Sequence, residues 1–303
     1  MPSVVVVICN HDTRALLADC LASLRDGGLA GVDADVWVVD NASTDGSAAM
    51  VQAAFPQVRL IASPDNLGYA AANNLALRAA GFADGPMSHP AAPGRHALLL
   101  NPDTLVPPGA IAALAAVLER EPDVGIVGPR LLLPDGSLDR ACRRAFPTPE
   151  VAFYRFSGLS RLMPNHPRFG RYNLSFLPED APADVDSVVG ACMLLRDLAI
   201  ADTGLLDERF WMYGEDLDWA LRVRAAGWRV VYRPHVVVHH VKRASSTGSA
   251  RARYEFQRAM WLFYRKHYAA TTPRWLGGLV ALGVAVRGGP RLAREMWSTR
   301  HAP

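Results

Sequence analysis

Asp103 closes the run Ala97-Leu98-Leu99-Leu100-Asn101-Pro102-Asp103-Thr104, an apolar stretch that ends in a carboxylate. Open α/β sheets keep ligand chemistry at such places, because buried strands deliver their last polar side chains to one edge. Pro102 removes a backbone donor and stops the strand, so the carboxylate projects beyond it. One carboxylate with phosphate oxygens and water is a usual way to hold Mg²⁺, and a turn-forming Asp accounts for the same residue equally well. A second run, Val36-Trp37-Val38-Val39, ends in Asp40-Asn41 and passes through Ala42-Ser43-Thr44-Asp45-Gly46-Ser47 into a helical pattern. Carboxylate, amide and hydroxyls at a helix start can hold a nucleotide base and ribose; Ser43 and Asp45 acting only as caps is the competing explanation. Pro64-Asp65-Asn66-Leu67-Gly68-Tyr69-Ala70 with Asn73-Asn74 forms another polar turn into a helix, for which capping is again sufficient. Far downstream, Tyr213-Gly214-Glu215-Asp216-Leu217-Asp218 opens a helix whose other end carries Arg222 and Arg224. Helix-dipole complementarity explains that cluster, yet adjacent carboxylates at a helix N-terminus in a cleft also provide a general base. His239-His240 ends a Val-rich strand, as a core and surface pair or with one imidazole as a metal ligand. Acids at these separate places predict one cleft.

The elements that must position them alternate. Residues 4–8, 36–39, 58–61 and 96–100 read as strands, and 13–25, 43–54 and 67–80 as helices, a βαβ series that calls for a parallel sheet. A helix over 108–120, a strand over 124–127, the apolar run 185–195, a helix over 215–226 and strands over 228–232 and 236–239 complete the body. Residues 83–95 read as a surface loop and 140–182 as a long irregular excursion with some local structure. Helices over 251–268 and 275–297 follow, and no internal repeat occurs.

Composition bounds the class. A chain of 303 residues, 50% apolar and 20% charged, buries a sizeable core. Cys9, Cys20, Cys142 and Cys192 are widely spaced with no CxxC pair, and residues 1–3 run straight into the first strand, so a reduced, cytoplasmic setting is expected. The longest uncharged stretch, residues 275–286, falls short of the roughly 20 residues a spanning helix needs. The net charge of +3 hides an asymmetry: from Lys242 onward there are twelve Lys and Arg against Glu255 and Glu295, leaving 20 basic and 27 acidic residues before it. In the helix over 251–268, Tyr254, Arg258, Trp261, Arg265 and Tyr268 share one stripe, and Phe256, Met260, Phe263 and His267 a neighbouring one. The basic aromatic stripe, with the apolar run 275–286 and the basic Arg287, Arg291 and Arg294 beyond it, fits an anionic membrane surface at the inner face of the plasma membrane; core or homodimer contacts account for both stripes equally. Nothing in the pattern calls for nucleic acid.

Taken together, residues 4–10, the run Val38 through Ser47, Asn66-Leu67-Gly68-Tyr69-Ala70 with Asn73-Asn74, and Leu100-Asn101-Pro102-Asp103 resemble, in order and spacing, the motifs of family 2 glycosyltransferases with a GT-A fold. Gly128-Pro129-Arg130 with Pro134-Asp135-Gly136, then Gly190-Ala191-Cys192, then the run from Gly204 through Asp218, resemble the rhamnosyltransferase-like branch. The resemblance implies a Rossmann-like nucleotide-binding sheet, mostly parallel, with helices on both faces, over residues 1–246, and a C-terminal helical extension over 247–303 that is membrane-peripheral or dimerising. It implies an inverting, metal-dependent transfer of a sugar, rhamnose from dTDP-rhamnose in the first instance, to a saccharide or polyprenyl-linked acceptor of the cell envelope. Galactofuranose, N-acetylglucosamine and mannose are the other sugars considered. Carried over residue by residue, Asn10, Asp40, Asn41, Asp45, Asn66, Asn73, Asn101 and Gly190 would contact the nucleoside-diphosphate sugar. Asp103 would hold Mg²⁺ or Mn²⁺, with His240 (or its neighbour His239) helping because Asn101 replaces the family's first metal-binding acid. Asp216 would be the base and Glu215 would orient the acceptor, while Arg143 or Arg144 either approaches phosphate or stays solvated. A nucleotidyltransferase would need a Gly-rich basic loop where Cys9-Asn10-His11-Asp12 stands, and a non-catalytic sugar-nucleotide-binding module would not need the Glu215-Asp216 pair.

Overall fold

The computed structural model describes residues 1–85, 94–241 and 250–298. The run Lys242-Arg243-Ala244-Ser245-Ser246, the 246/247 boundary and most of the loop read over 83–95 lie outside the described residues. Chain order is β1 (Ser3–Asn10), α1 (Arg14–Ser23), β2 (Asp33–Asn41), α2 (Ser47–Ala54), β3 (Arg59–Ser63), α3 (Tyr69–Ala79), β4 (Arg95–Leu100), β5 (Thr104–Leu105), α4 (Ala110–Arg120) and β6 (Val124–Leu132). Then follow α5 (Pro149–Phe156), α6 (Leu159–Leu162), β7 (Ala183–Asp184), β8 (Cys192–Leu195), α7 (Asp197–Thr203), α8 (Glu215–Ala225), β9 (Arg229–His240), α9 (Ala250–His267) and α10 (Arg274–Ser298).

Val4 to Ile8 are at most 1% exposed, as expected of a strand covered on both faces. The strands form one sheet in the order β3-β2-β1-β4-β8-β6-β9-β5, with β7 beside β9. Its first four strands are parallel, as the alternation predicts. β8 is not: it runs antiparallel between β4 and β6. An apolar run buried on both sides carries no sign of its direction; parallel pairing resumes between β6 and β9, so the sheet is mostly parallel, as expected. The reversal has a consequence for chemistry, because it sets the start of β8 beside the end of β4: Cys192 pairs with Leu100, and the Asn101 amide donates to the Ala191 carbonyl at 3.0 Å.

The two strands read over 228–232 and 236–239 are one, β9, passing through Pro234. Its register on β6 slips where Pro129 faces Arg233 and Arg130 faces Val237, so residues 234–236 bulge out and absorb the proline. The bulged strand first fills the core with Val230 to Tyr232 and then runs on to pair antiparallel with β5, Thr104 opposite His240.

The stripes on α9 turn inward. Trp261 stacks on Tyr264 at 5.7 Å and both pack with Ala281, Val284, Leu292 and Met296 of α10. Arg258 donates to Glu295 at 2.9 Å, and the Tyr254 hydroxyl donates to the same carboxylate. Phe263 joins Phe210, Leu217 and Ala259, while His267 and Lys266 reach the buried Asp218 at 2.7 and 2.6 Å. The lipid-facing reading of the Tyr254 to Tyr268 stripe is therefore corrected: its aromatic centre is internal packing, and Arg258 is bound to the neighbouring helix.

Candidate active site

Asn10 and Asp40 end β1 and β2 in register, and both are buried. The Asn10 amide donates to Asp40 Oδ1 and to Ser43 Oγ, each at 3.1 Å, and the Ser43 N–H points back to Asp40 Oδ2 at 3.3 Å. Asn41 clamps the next loop: it donates to Asn66 Oδ1 at 3.0 Å and accepts from the Leu67 N–H at 2.8 Å. Gly68, at φ +84°, follows; a Cβ there would lie 2.3 Å from the Trp211 carbonyl oxygen, so only glycine lets this loop meet the segment leading to α8. Asp12, Ala42 and Tyr213 adopt positive φ without being glycine, and each adjoins this edge. Such strain persists only where surroundings over-determine the backbone, as around binding sites. Asp45 is spent differently. Its Oδ2 accepts from the Arg14 N–H at 2.8 Å and its Oδ1 from Ser47, which fits the capping explanation.

At the adjoining strand ends, His240 Nε2 lies 3.2 Å from Asp103 Oδ1, and its Nδ1 lies 2.8 Å from Asp139 Oδ2. His240 is 5% exposed, whereas His239 points to solvent, which fixes which imidazole faces the carboxylate. Burial would depress the His240 pKa, but hydrogen bonds to Asp103 and Asp139 override it and hold it at about 9. Among the described residues no group of three His, Cys, Asp or Glu side chains converges on one point. The donor set is thus a pair. The oxygen and the imidazole nitrogen lie 3.2 Å apart, close to the separation of about 2.9 Å between neighbouring corners of an octahedron with bonds of about 2.0–2.1 Å. Asp139 accepts from Nδ1–H behind the ring, where a carboxylate would orient a ligating imidazole, and a cation at Nε2 would take the place of the second ring proton. This pair could supply two ligands to one divalent cation, whose other positions phosphate and water would have to fill.

The third group opens α8. Asp216 is 5% exposed and accepts from three donors: Arg144 Nη2 at 2.6 Å and the Gly190 N–H at 3.1 Å on Oδ2, and the Leu217 N–H at 2.7 Å on Oδ1. Glu215 beside it is buried, and its Oε2 has no hydrogen-bond partner. Burial first, and the Asp216 charge second, push its pKa up to about 8. The two neighbours thus sit in unlike surroundings, Glu215 in a setting that favours its protonated form and Asp216 against a buried guanidinium. The Tyr69 hydroxyl donates to the Gly190 carbonyl at 3.0 Å and is raised well above its ordinary pKa, by burial and then by the nearby charges of Glu215, Cys9, Asp216 and Asp103. The Tyr69 hydroxyl thus lies among the charges of Asp103, Glu215 and Asp216. Asp218 does not join them; it ties α8 to Arg222, Lys266 and His267.

The Glu215 shift gives a testable sign. Its folded pKa lies above the ordinary 4.5, so the unfolded chain loses this proton first and stability falls as pH rises from about 4.5 to about 8. Glu215→Gln removes that loss, and its melting temperature relative to the parent should climb across this window by the equivalent of at most about 1.4 kcal/mol per pH unit. A difference independent of pH between 4.5 and 8 would contradict the buried, protonated state.

Of the residues singled out in the sequence, Asn10, Asp40, Asn41 and Asn66 form one network, Asp103 and His240 a second, and Glu215, Asp216 and Gly190 a third. Asn73 donates to the Tyr69 carbonyl at 2.8 Å and leaves its buried Oδ1 unpaired. Asn101 takes part through its backbone, its carbonyl accepting from Thr104 Oγ1 at 2.7 Å. Arg143 and Arg144 are not solvated: Arg143 caps the Leu177 and Pro178 carbonyls, and Arg144 pairs with Asp216. Sequence reasoning missed Asp139 and Tyr69. Asp139 sits just after the turn at Asp135-Gly136, where an acid reads as loop polarity until β9 is seen to bring His240 to it. Burial pushes the Cys9, Cys20 and Cys192 thiols up to about 12, so none competes as a nucleophile.

The profile of the family described as glycosyltransferase like family 2 matches residues 2–259. An N-acetylglucosaminyl-diphospho-decaprenol L-rhamnosyltransferase of Mycobacterium tuberculosis is 34% identical over 215 residues, covering 70% of this chain and 68% of its own. Among solved structures, the mannosyltransferase PcManGT of Pyrobaculum calidifontis, in complex with GDP-Man and Mn²⁺, aligns over all of this chain and 76% of its own at 17% identity, with a TM-score of 0.57. S. aureus TarS 1-349 in complex with UDP-GlcNAc aligns over 94% of this chain and 71% of its own at 14% identity, again with a TM-score of 0.57. The structural likeness establishes the GT-A fold. With a family profile spanning most of its length and a relative above 30% identity, the chain belongs to glycosyltransferase family 2, and it is a glycosyltransferase.

Proposed function

We propose that this glycosyltransferase moves L-rhamnose from dTDP-rhamnose to a polyprenyl-diphosphate-linked N-acetylglucosamine, inverting the anomeric centre. The carrying observation is the Glu215-Asp216 pair, in unlike surroundings, on the same sheet edge as Asp103 and His240. The rhamnose and the lipid-linked acceptor come from the mycobacterial relative, and the nucleotide complexes of the structural neighbours agree with a sugar-nucleotide donor.

Asp103 and His240 would hold Mg²⁺ or Mn²⁺, with Asp139 fixing the imidazole. Bound there, the cation offsets negative charge on a departing diphosphate. Asn10, Asp40, Asn41 and Asn66 line the strand ends where the nucleoside lies, and Asn73 offers its unpaired Oδ1 within the same fold of chain. Asp216 accepts the proton of the acceptor hydroxyl, whose oxygen then attacks the anomeric carbon from the face opposite the diphosphate. Glu215, kept protonated, adds no second negative charge beside that base and presents a donor to the acceptor. Arg144 and the Gly190 N–H hold the Asp216 carboxylate in one orientation throughout.

The test is a product assay. Purified protein with Mn²⁺ and a short-chain polyprenyl-diphosphate N-acetylglucosamine is offered dTDP-rhamnose, UDP-galactofuranose, UDP-N-acetylglucosamine and GDP-mannose in turn. Rhamnosylated product of inverted configuration from the first donor alone supports the reading. Transfer from another donor reassigns the sugar, and retention of configuration removes the single-base mechanism.

A further inference from the structure

The exposed face of α10 is more apolar than an ordinary solvent-facing helix. Residues 275–286 contain no charged side chain, and Trp275, Leu279, Leu282 and Val286, spaced four, three and four apart, are 70, 57, 61 and 74% exposed. Those steps put them on one stripe. The opposite side, through Ala281 and Val284, packs on Trp261 and Tyr264 of α9, so the stripe is what remains once the helix has been docked. Arg274 and Arg287 frame it at the two ends, both exposed, and Arg291 and Arg294 follow. The one acid of α10, Glu295, bonds to Tyr254 and Arg258 of α9. Contiguous exposed apolar surface of this kind marks an interaction site.

Charge decides the occupant. Two copies of this face brought together would set arginine against arginine at the ends, in parallel or antiparallel order, with no acid on the stripe between them. An apolar ridge with a tryptophan at one end and arginines at both complements the acyl boundary and anionic head groups of a bilayer. Among the described residues no helix is long and apolar enough to cross a membrane, so the helix would lie along the surface. We infer that the Trp275, Leu279, Leu282, Val286 stripe of α10 docks the enzyme on an anionic membrane surface, with Arg274 and Arg287 at the head groups. Through α9, whose Lys266 and His267 grip Asp218 of α8, the docked helix is tied to the element that carries Glu215 and Asp216. The inference goes beyond the rhamnosyl-transfer reading and does not need it, because binding is read without turnover.

The full chain is sedimented with vesicles of phosphatidylglycerol and phosphatidylcholine, and with phosphatidylcholine alone, while its oligomeric state is followed by analytical ultracentrifugation. Leu279→Glu with Leu282→Glu changes exposed side chains only, so thermal melting and turnover on a water-soluble acceptor analogue should match the parent. Affinity for the anionic vesicles should fall at least about tenfold. Arg274→Glu, also fully on the surface, should weaken binding to the anionic vesicles about fivefold and leave the weaker phosphatidylcholine binding unchanged. Three outcomes overturn the inference: no vesicle binding by the parent, equal binding by parent and the double leucine variant, or a parent dimer that the double variant splits without any vesicle binding.

Discussion

Asp216→Asn should lower turnover by about 10²–10⁴-fold while donor affinity stays within a few-fold of the parent, the range that loss of a general base produces. Asparagine keeps the size of the side chain and an oxygen for the Gly190 N–H, but it removes both the proton acceptor and the charge opposite Arg144. Leaving a buried guanidinium without its anion is costly, on the order of 3–5 kcal/mol, so the variant should also melt earlier. Turnover and donor binding are therefore measured on one preparation below its transition. Glu215→Gln is the control that separates the two acids: glutamine imitates a protonated carboxyl, so turnover at neutral pH should stay within about tenfold. Parent activity should decline above about pH 8 as Glu215 ionises beside Asp216, and the glutamine variant should lack that decline. Near-parental turnover in Asp216→Asn combined with a dead Glu215→Gln would reverse the roles, and activity in both would place the base elsewhere.

Asp103→Ala should abolish metal-dependent donor binding. The Asp103–His240 pair is held by backbone, with the Val241 N–H donating to the Asp103 carbonyl at 2.8 Å and Thr104 paired with His240, so loss of the carboxylate should leave the strand ends in place. His240 would keep its contact with Asp139, and the variant should remain folded. Asp139→Asn is the more discriminating change. Asp139 Oδ2 faces His240 Nδ1 and its Oδ1 accepts from the Ala141 N–H, and removing a carboxylate behind a ligating imidazole typically costs about 10–100-fold in metal affinity. Titration of Mn²⁺ by its paramagnetic signal, with and without nucleoside diphosphate, reads both variants. Donor affinity insensitive to EDTA in the parent, or Mn²⁺ affinity unchanged in both variants, would remove Asp103 and His240 from this role.

The parallel half of the sheet and the polar groups at its edge follow from local sequence pattern. Continuous valine and leucine runs such as residues 4–8 and 97–100 have one stable use, burial on both faces, and the polar residues that end them must emerge together because parallel neighbours share a direction. Local signals were enough there, and Asp40, Asp103 and the Glu215-Asp216 cluster could be named from position alone. What depended on contacts between distant segments was settled only by the tertiary structure. The direction of β8 left no mark in its apolar sequence, yet it decides that Gly190 meets Asp216. A bulge at Pro234 made one strand of two runs and thereby chose His240 over His239 and joined it to Asp139. The unlike surroundings of Glu215 and Asp216 come from burial and from Arg144, a residue 72 positions from Asp216, and neither is visible in the residue types themselves. The same held for the C-terminal helices: periodicity showed two stripes over 251–268 and an uncharged run over 275–286, but which side packs inward and which stays exposed is fixed by where the neighbouring helix lies.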